Sequence, residues 1–455
     1  MSRHRTAIAL GLVLLLGLAL RLGLTVALRA WEVPSFMEHR QIAINLLIGE
    51  GFSFRDWGYF GPSSVQSPPY PVLLALLYRA FGPDAPAAHM AAMLINALVG
   101  TLAALLSYFM VLSLRGSRAA ALLTALLVSV WPTQVYAVTV VQAIALIVAG
   151  TVASIWLWYR SIDSQRLGPW IGFGVIGCLA ALTEPVLLPA MALSGLLVLF
   201  HPSLRWSVRI RNACMLLLIA VTVIGPWTYR NWLVHGSFTP IKATFWVNVW
   251  KGNNPNASGT DRPVLSEEKK RQLMAGMTEA ERRNPDFDSV RQYDLLSPQQ
   301  REELSDKTEI ERERLFAAYA KTWIRENPVG YLRMCAVRLG KTLWIEWDNP
   351  KSYRFSNFVS RTLLLVLTPF GLVLAVRRGW RVGFPLLIVG TSLLTYTLTI
   401  TAARFAIPLE PWQLSLVALL GISAFERYLG PVSRLPGLSF LAATSDAAST
   451  EPVHA

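Results

Sequence analysis

Charge and sulfur are scarce in this sequence. Only 15% of its 455 residues are Asp, Glu, Lys or Arg, against 53% that are apolar. Mean hydropathy is +0.42, which excludes an ordinary soluble enzyme, and long apolar runs recur along the chain as in a polytopic membrane protein. There are three cysteines. Cys178 and Cys214 fall in apolar runs and Cys335 lies in a polar region, so there is neither a disulfide framework nor a Cys-based metal spacing. Acidic residues are outnumbered 28 to 42, for a net charge of +14. The excess is no nucleic-acid signal, because much of it is Arg in short loops between apolar runs, where it sets orientation and meets anionic lipid. No internal repeat of the kind that marks many secondary transporters is present.

Ten apolar runs predict membrane helices: 7–28, 86–113, 119–136, 138–159, 169–182, 185–200, 211–229, 360–376, 382–402 and 406–426. The expected fold class is therefore an all-α polytopic membrane bundle with interfacial helices in the first outer loop and a mostly helical outer segment. Arg3 and Arg5 precede the first run, and Arg21 and Arg29 frame its end, so it reads as an anchor rather than a cleaved leader. Arg115 and Arg118, Arg160 and Arg166, Arg205 to Arg211, Arg377 to Arg381, and Arg427 all fall on the side of the N-terminus, which the positive-inside rule makes the cytoplasm. The chain divides into an N-terminal bundle (1–234), an outer segment (235–358), C-terminal membrane helices (359–430) and a Ser/Ala/Pro-rich tail (431–455) expected to be disordered.

The first outer loop, 30–71, carries MEHRQIAINLLIGEGFSF. A short interfacial helix is expected here. Ile42, Leu46 and Leu47 share one face, and Ser35, Glu38, Gln41 and Asn45 share the other. On such a helix Glu38 stands one turn from Ser35, an axial offset of about 4.5 Å. Residues 67–82 follow as a re-entrant or interfacial helix begun by prolines. In the outer segment, 264–320 reads as solvated helices. Residues 321–347 read as an amphipathic helix whose basic face, Arg333, Arg338 and Lys341, lies at the membrane surface or covers the bundle.

The stretch 225–259, GPWTYRNWLVHGSFTPIKATFWVNVWKGNNPNASG, marks where the chain leaves the membrane for its one large polar segment. Trp227, Tyr229 and Trp232 suit headgroup depth, and Arg230 offers donors suited to a phosphate. PW-T-x-RN, ending at Asn231, followed by GNNPNASG with Asn253 and Asn254, resembles the polyprenyl-phosphate-sugar-dependent glycosyltransferases of the GT-C superfamily. Within it, the bacterial relatives of protein mannosyltransferases and the aminoarabinose transferase of lipid A are most similar. Ala43, Asn45, Leu46, Leu47, Gly49, Gly51 and Phe52 match that family's first-loop pattern, and Arg404-Phe405-Ala406-Ile407-Pro408 matches its R-[YF]-x-[IL]-P.

The resemblance implies an inverting transfer of a sugar from a polyprenyl-phosphate donor to a lipid, glycan or protein acceptor at the outer face of a bacterial inner membrane. It implies a general base at the start of the first loop. Ser35 stands at the family's Asp position and His39 at its Tyr position, which leaves Glu38 as the candidate base. Gln142 stands where the family has Glu, so a metal or amine contact loses its charge there; no cofactor is certain and a divalent metal is possible. Glu184, in Leu182-Thr183-Glu184-Pro185, is a second acidic candidate at a helix break, or a cap for the helix that Pro185 begins. Arg230, Arg404 and Lys341 are the candidate holders of the donor phosphate, or cations that snorkel to lipid. A different class of reading is a catalytically impaired scaffold that binds lipid-linked glycan, motivated by the two missing acids. A transporter is the third.

Overall fold

A computed structural model describes residues 2–32, 34–164, 166–275 and 290–435, with 438 and 441. The apolar runs are helices. In chain order they begin with α1 (Ser2–Ala27), α2 (His39–Leu47) and α3 (Pro69–Phe81). α4 (Pro86–Ser113), α5 (Arg118–Val130), the one-turn α6 (Pro132–Tyr136) and α7 (Ile144–Ser164) follow. Then come α8 (Leu167–Thr183), α9 (Leu188–Leu199), α10 (Trp206–Val223) and α11 (Gly225–His235). The outer segment holds α12 (Phe245–Gly252), α13 (Glu267–Ala275), α14 (Pro298–Leu304), α15 (Glu309–Glu326) and α16 (Pro328–Leu343). The chain closes with α17 (Phe355–Arg377), α18 (Gly383–Leu398) and α19 (Glu410–Leu429). Among the described residues six helices are long and apolar enough to cross a membrane, or seven with the bent pair α5–α6. The chain is a multi-pass membrane protein.

The remaining expected spans are shorter. α9 has 12 residues and is about 18 Å long, well under the roughly 30 Å of a hydrocarbon core. The run expected from 138 starts only at Ile144, after a 3₁₀ turn at Ala137–Thr139. The run expected to reach 229 stops at Val223, because Pro226 has no N–H to offer back to Thr222. α11 then starts afresh and ends on Gly236 in the left-handed region (φ 60°).

Small residues set the helix spacing. A Cβ on Gly150 would lie 2.8 Å from the Ala180 Cβ, and one on Gly371 would lie 2.7 Å from the Leu416 carbonyl. These positions let α7 close on α8 and α17 on α19, as in other helix pairs within membranes. α5 and α6 meet at 51°. Pro132 cannot donate to the Val128 carbonyl, and Arg21, fully buried on α1, does so instead. Its guanidinium reaches Val128 O and Ser129 O, each at 3.1 Å, and Gly17 O at 3.0 Å. Arg21 thus lies inside the bundle rather than framing its edge.

At one end of the bundle the Arg-bearing loops touch. Arg381 N donates to Leu114 O (3.1 Å) and the Arg381 side chain pairs with Asp163 (2.7 Å). At the other end sit the first outer loop and the outer segment. Capping boxes at Ser297/Gln300 and Thr308/Glu311 start α14 and α15. Val249, Trp250, Leu296, Leu304, Phe316 and Ala320 form their shared core. α12 has no side-chain cap of its own; the Glu313 carboxylate accepts from its free amides at Trp246 (2.9 Å) and Val247 (3.0 Å). On α16, Val329 and Leu332 are exposed, and of the expected basic face Arg338 and Lys341 are buried while Arg333 alone is exposed. The tail expected to be disordered lies, from 442 on, outside the described residues.

Candidate functional site

The first outer loop folds by local chemistry. α2 ends at Gly49 (φ 87°) and Gly51 (φ 66°), and Asn45 Nδ2 donates to Ser53 O (2.9 Å), tying the helix to a hairpin. The hairpin pairs β1 (Ser53–Asp56) with β2 (Tyr59–Pro62), antiparallel, with Asp56 opposite Tyr59.

Ser35 and Glu38 do not share a helix. Met37 has φ 52°, which breaks any turn running from 35 into α2. Ser35 is held from elsewhere: its carbonyl accepts from Val141 N (3.2 Å) and its Oγ from Gln142 Nε2 (3.2 Å). The two positions that the family fills with acids therefore meet, as a neutral hydrogen-bonded pair. Glu38 Oε2 accepts from Gln66 Nε2 (2.6 Å). Asp56 lies within electrostatic reach of Glu38, and burial pushes its carboxyl above the usual range.

His39 is buried behind them, its ring 5.2 Å from that of Tyr70, and its Nδ1 has no hydrogen-bond partner. Burial, followed by the charges of Lys242 and Arg404, lowers its pKa to about 3, so the imidazole is neutral. Asn96 lines the same floor, donating to Tyr70 Oη (3.1 Å) and Val140 O (2.9 Å).

The family-like motifs are mostly joinery. Arg230 Nη1 donates to Ser63 O (2.7 Å) and Ser64 Oγ (3.1 Å), Nη2 donates to Phe52 O (2.8 Å), and the guanidinium lies 4.8 Å over Trp227. It orders the first outer loop. Asn231 is buried, with Nδ2 donating to Thr239 O (3.0 Å) and Ile241 O (3.1 Å). Asn253 Nδ2 and Asn254 Nδ2 close the end of α12 on Val249 O (2.7 Å) and Trp250 O (3.0 Å). Arg338 bolts that turn to α18, donating to Gly252 O (2.6 Å) and Thr397 O (2.6 Å). Gly252 is required here, since a Cβ would lie 2.0 Å from the Thr399 carbonyl. Lys341 Nζ donates to Ser258 O (2.8 Å) and pairs with Asp348 (2.6 Å). Its ammonium is thus occupied by protein rather than aimed at the site. Thr401 N donates to Gly259 O (3.0 Å), so the GNNPNASG turn holds the strand-like segment that leads into Arg404.

Arg404 is exposed, 5.3 Å over the Phe405 ring. The buried Glu346 carboxylate accepts from the adjacent Ala403 N. Glu184 stands half-buried at the α8 break and makes no side-chain cap bond, which sets aside its capping role. Glu184 and Arg404 both act electrostatically on the buried Tyr396. Among the described residues no three His, Cys, Asp or Glu side chains lie close enough to hold a metal ion.

Sequence reasoning missed Gln66, Lys242 and two buried acids. Glu410, inside the matched R-F-A-I-P stretch and its sequel, pairs with Arg361 (3.3 Å) and accepts from Thr133 and Gln134. Glu309 accepts from Ser63 Oγ and Ser64 N.

No protein-family model and no curated protein matches the sequence. Solved structures do. The archaeal oligosaccharyltransferase AglB from Archaeoglobus fulgidus, in complex with an inhibitory peptide and a dolichol-phosphate, superposes with a TM-score of 0.51 at 14% identity. The match covers 96% of this chain and 53% of AglB, so the chain spans about half the length of that protein. The same oligosaccharyltransferase in complex with Zn and sulfate gives 0.49 at 13% identity, over 95% of this chain and 50% of that one. ArnT from Cupriavidus metallidurans, bound to undecaprenyl phosphate, gives 0.36 at 14% identity, over 92% and 84%. The last two scores are too low to build on. Resting on the first, this chain has the fold of the part of that oligosaccharyltransferase which it matches, and this fits the glycosyltransferase resemblance of the loop motifs.

Proposed function

We propose that this chain is a membrane glycosyltransferase that moves a sugar from a polyprenyl-phosphate donor to a lipid, glycan or protein acceptor at the outer face of a bacterial inner membrane. The observation that carries the reading is Glu38, next to the buried His39 and one loop from the Ser35–Gln142 pair, with Arg404 within electrostatic reach of the His39 imidazole. Glu38 takes one hydrogen bond from Gln66 on Oε2, and Oε1 remains to accept a proton. As the acceptor oxygen bonds to the anomeric carbon, its proton passes to Glu38. The bond from that carbon to the phosphate oxygen breaks, and the lipid phosphate leaves with the electron pair. Arg404 meets that developing charge. Glu184 and Asp56 are the next carboxylates at this edge. Arg230, Asn231, Asn253, Asn254 and Lys341 position the loops around it. The ten-span bundle with both termini cytoplasmic and residues 235–358 outside belongs to the same reading.

One observation favours a second reading. The family's two acidic positions form a closed neutral pair, Ser35 with Gln142, as suits a scaffold that binds lipid-linked glycan without turning it over. Transfer from a polyprenyl-phosphate sugar by purified protein separates the two. Glu38→Gln is expected to lower turnover at least about a hundredfold with donor binding retained. A wild type that binds donor without transferring, and gains transfer on Ser35→Asp with Gln142→Glu, would establish the scaffold instead.

A further inference from the structure

Residues 63–67, Ser-Ser-Val-Gln-Ser, join the first-loop hairpin to α3, and three parts of the chain converge on the first two of them. From the outer segment, the buried Glu309 carboxylate accepts from Ser63 Oγ (2.5 Å) and Ser64 N (2.9 Å). From α11, Arg230 Nη1 donates to Ser63 O (2.7 Å) and Asn231 Oδ1 accepts from Ser64 Oγ (2.7 Å). From the foot of the hairpin, Phe52 O accepts from Ser63 N (3.0 Å). At the far end Pro68 precedes α3 and Pro69 opens it, and their fixed φ stiffens the exit. The five residues are thus held at both ends.

Gln66 lies between those ends. It is buried, and its Nε2 donates to Glu38 Oε2 (2.6 Å). Glu38 has little else to hold it. It stands at the N-cap of α2, straight after Met37 at φ 52°, and makes no side-chain cap bond. No other hydrogen bond or ion pair engages its carboxylate among the described residues. A long acidic side chain left alone divides among several rotamers, and one charge-assisted bond selects among them. The amide also suits a base: being neutral, it orients a carboxylate without the opposite charge that would weaken it as a proton acceptor.

We infer that Gln66 is the positioning residue of Glu38, and that the outer segment acts on Glu38 through it. Glu309 fixes the loop, the loop fixes Gln66, and Gln66 fixes the carboxylate that takes the acceptor's proton. This rests on the glycosyl-transfer reading for what Glu38 does, not for how Glu38 is held. The Arg230-Asn231 pair then bears on the base at one remove, by pinning the same two serines. A second route leads from Glu309 to α2, from Ser63 N to Phe52 O and from Ser53 O to Asn45 Nδ2, and double substitutions separate the two.

The test is hydrogen exchange by mass spectrometry on the full chain in nanodiscs, at one pH, on peptides covering 38–44 and 60–66. His39 N and Ile42 N, bonded to Phe36 O (3.3 Å) and Glu38 O (3.2 Å), report opening of the first turn of α2. Gln66→Met keeps the volume and removes the donor. It is expected to lower protection at 38–44 about tenfold or more, the loss of a hydrogen bond to a charged group. Once Glu38→Ala has removed the acceptor, Gln66→Met should change nothing there. Glu309→Ala is expected to lower protection at both peptides, and in the Gln66→Met background to add nothing at 38–44; the cycle with Glu38 stands alone if Glu309→Ala fails to fold. Additive losses at 38–44 in either cycle, or Gln66→Met exchanging like wild type, would overturn the inference. In transfer from a polyprenyl-phosphate sugar, Gln66→Met should lower kcat about ten- to a hundredfold with KM unchanged, and an unchanged kcat would count against positioning. A wild type that transfers nothing would sink the glycosyl-transfer reading and leave the exchange result to decide how Glu38 is held.

Discussion

Glu309 and His235 sit 3.9 Å apart where α15 and α11 clamp the first outer loop, and together they make a testable proton balance. Burial raises the Glu309 carboxyl from 4.5 to about 7. Burial, then the charge of Arg230, lowers the His235 imidazole from 6.5 to about 4. Both groups are neutral between those two values, and at no pH are both charged, so they are neutral neighbours, each hydrogen-bonded to Ser64, and not an ion pair. Glu309 contributes stability that is full below about 4.5 and lost as pH rises through about 7. His235 contributes stability that is full above about 6.5 and lost as pH falls through about 4. Between 4.5 and 6.5 the two slopes cancel, because opening the clamp moves one proton from Glu309 to His235 and none to solvent. Glu309→Gln removes one slope. The variant should then lose about 1.4 kcal/mol, or tenfold in protection, per pH unit on acidification. Across the full interval from 6.5 to 4 that is about 3 kcal/mol. Hydrogen exchange by mass spectrometry on peptides covering 60–66, corrected for intrinsic rates, reads it directly, since Ser64 N is bonded to the Glu309 carboxylate (2.9 Å). Wild-type protection should be flat from 4.5 to 6.5. A flat variant, or a wild type that falls tenfold per unit in that window, would refute the reasoning.

Two further outcomes are expected. Glu410→Ala leaves Arg361 as a buried, unmatched charge and should destabilise the bundle by about 3–5 kcal/mol. Thermal unfolding in detergent measures this, and adding Arg361→Leu should recover most of the loss; a single variant as stable as wild type would show that the pair holds nothing together. In a cysteine-free background, an impermeant thiol reagent on intact spheroplasts should label Gln299→Cys, which is exposed in the outer segment, and spare Ser164→Cys, which is exposed at the end of α7. The reverse pattern would invert the orientation.

The membrane helices were legible because an apolar run is a local property: α4 and α1 fall within a few residues of their expected bounds. Breaks were harder to see. Gly225-Pro226 carried the signal that ends α10, but the apolar and aromatic residues around it read as one continuous run. The hairpin at 53–62 went unread because its strands have four residues each and its turn is Trp57-Gly58, both at positive φ (54° and 80°). Only Gly58 belongs to the usual signature of such a turn. At the site, motif alignment placed Ser35 and Gln142 at equivalent functional positions, and the fold brings them into contact. The helix assumed between Ser35 and Glu38 failed, because the Val141 amide captures the Ser35 carbonyl across more than a hundred residues of sequence. Lys242 and Glu309 were invisible for the same reason: their surroundings come from elements distant in the chain. The arginines and asparagines of the motifs were conspicuous, and most of their donors are bonded to the chain's own carbonyls.

The seat of Arg21 bears on how the chain is built. An arginine within a lone membrane helix costs up to about 2.5–3.5 kcal/mol to insert, the figure for its centre. Here two of the three carbonyls that receive it belong to α5, more than a hundred residues downstream, and they are free because α5 ends just before Pro132. α1 cannot shed the hydration of its guanidinium until α5 has been made. α1 thus enters the bilayer before α5 and finds its place only after it, and a ribosome must have passed Pro132 before the bundle can close.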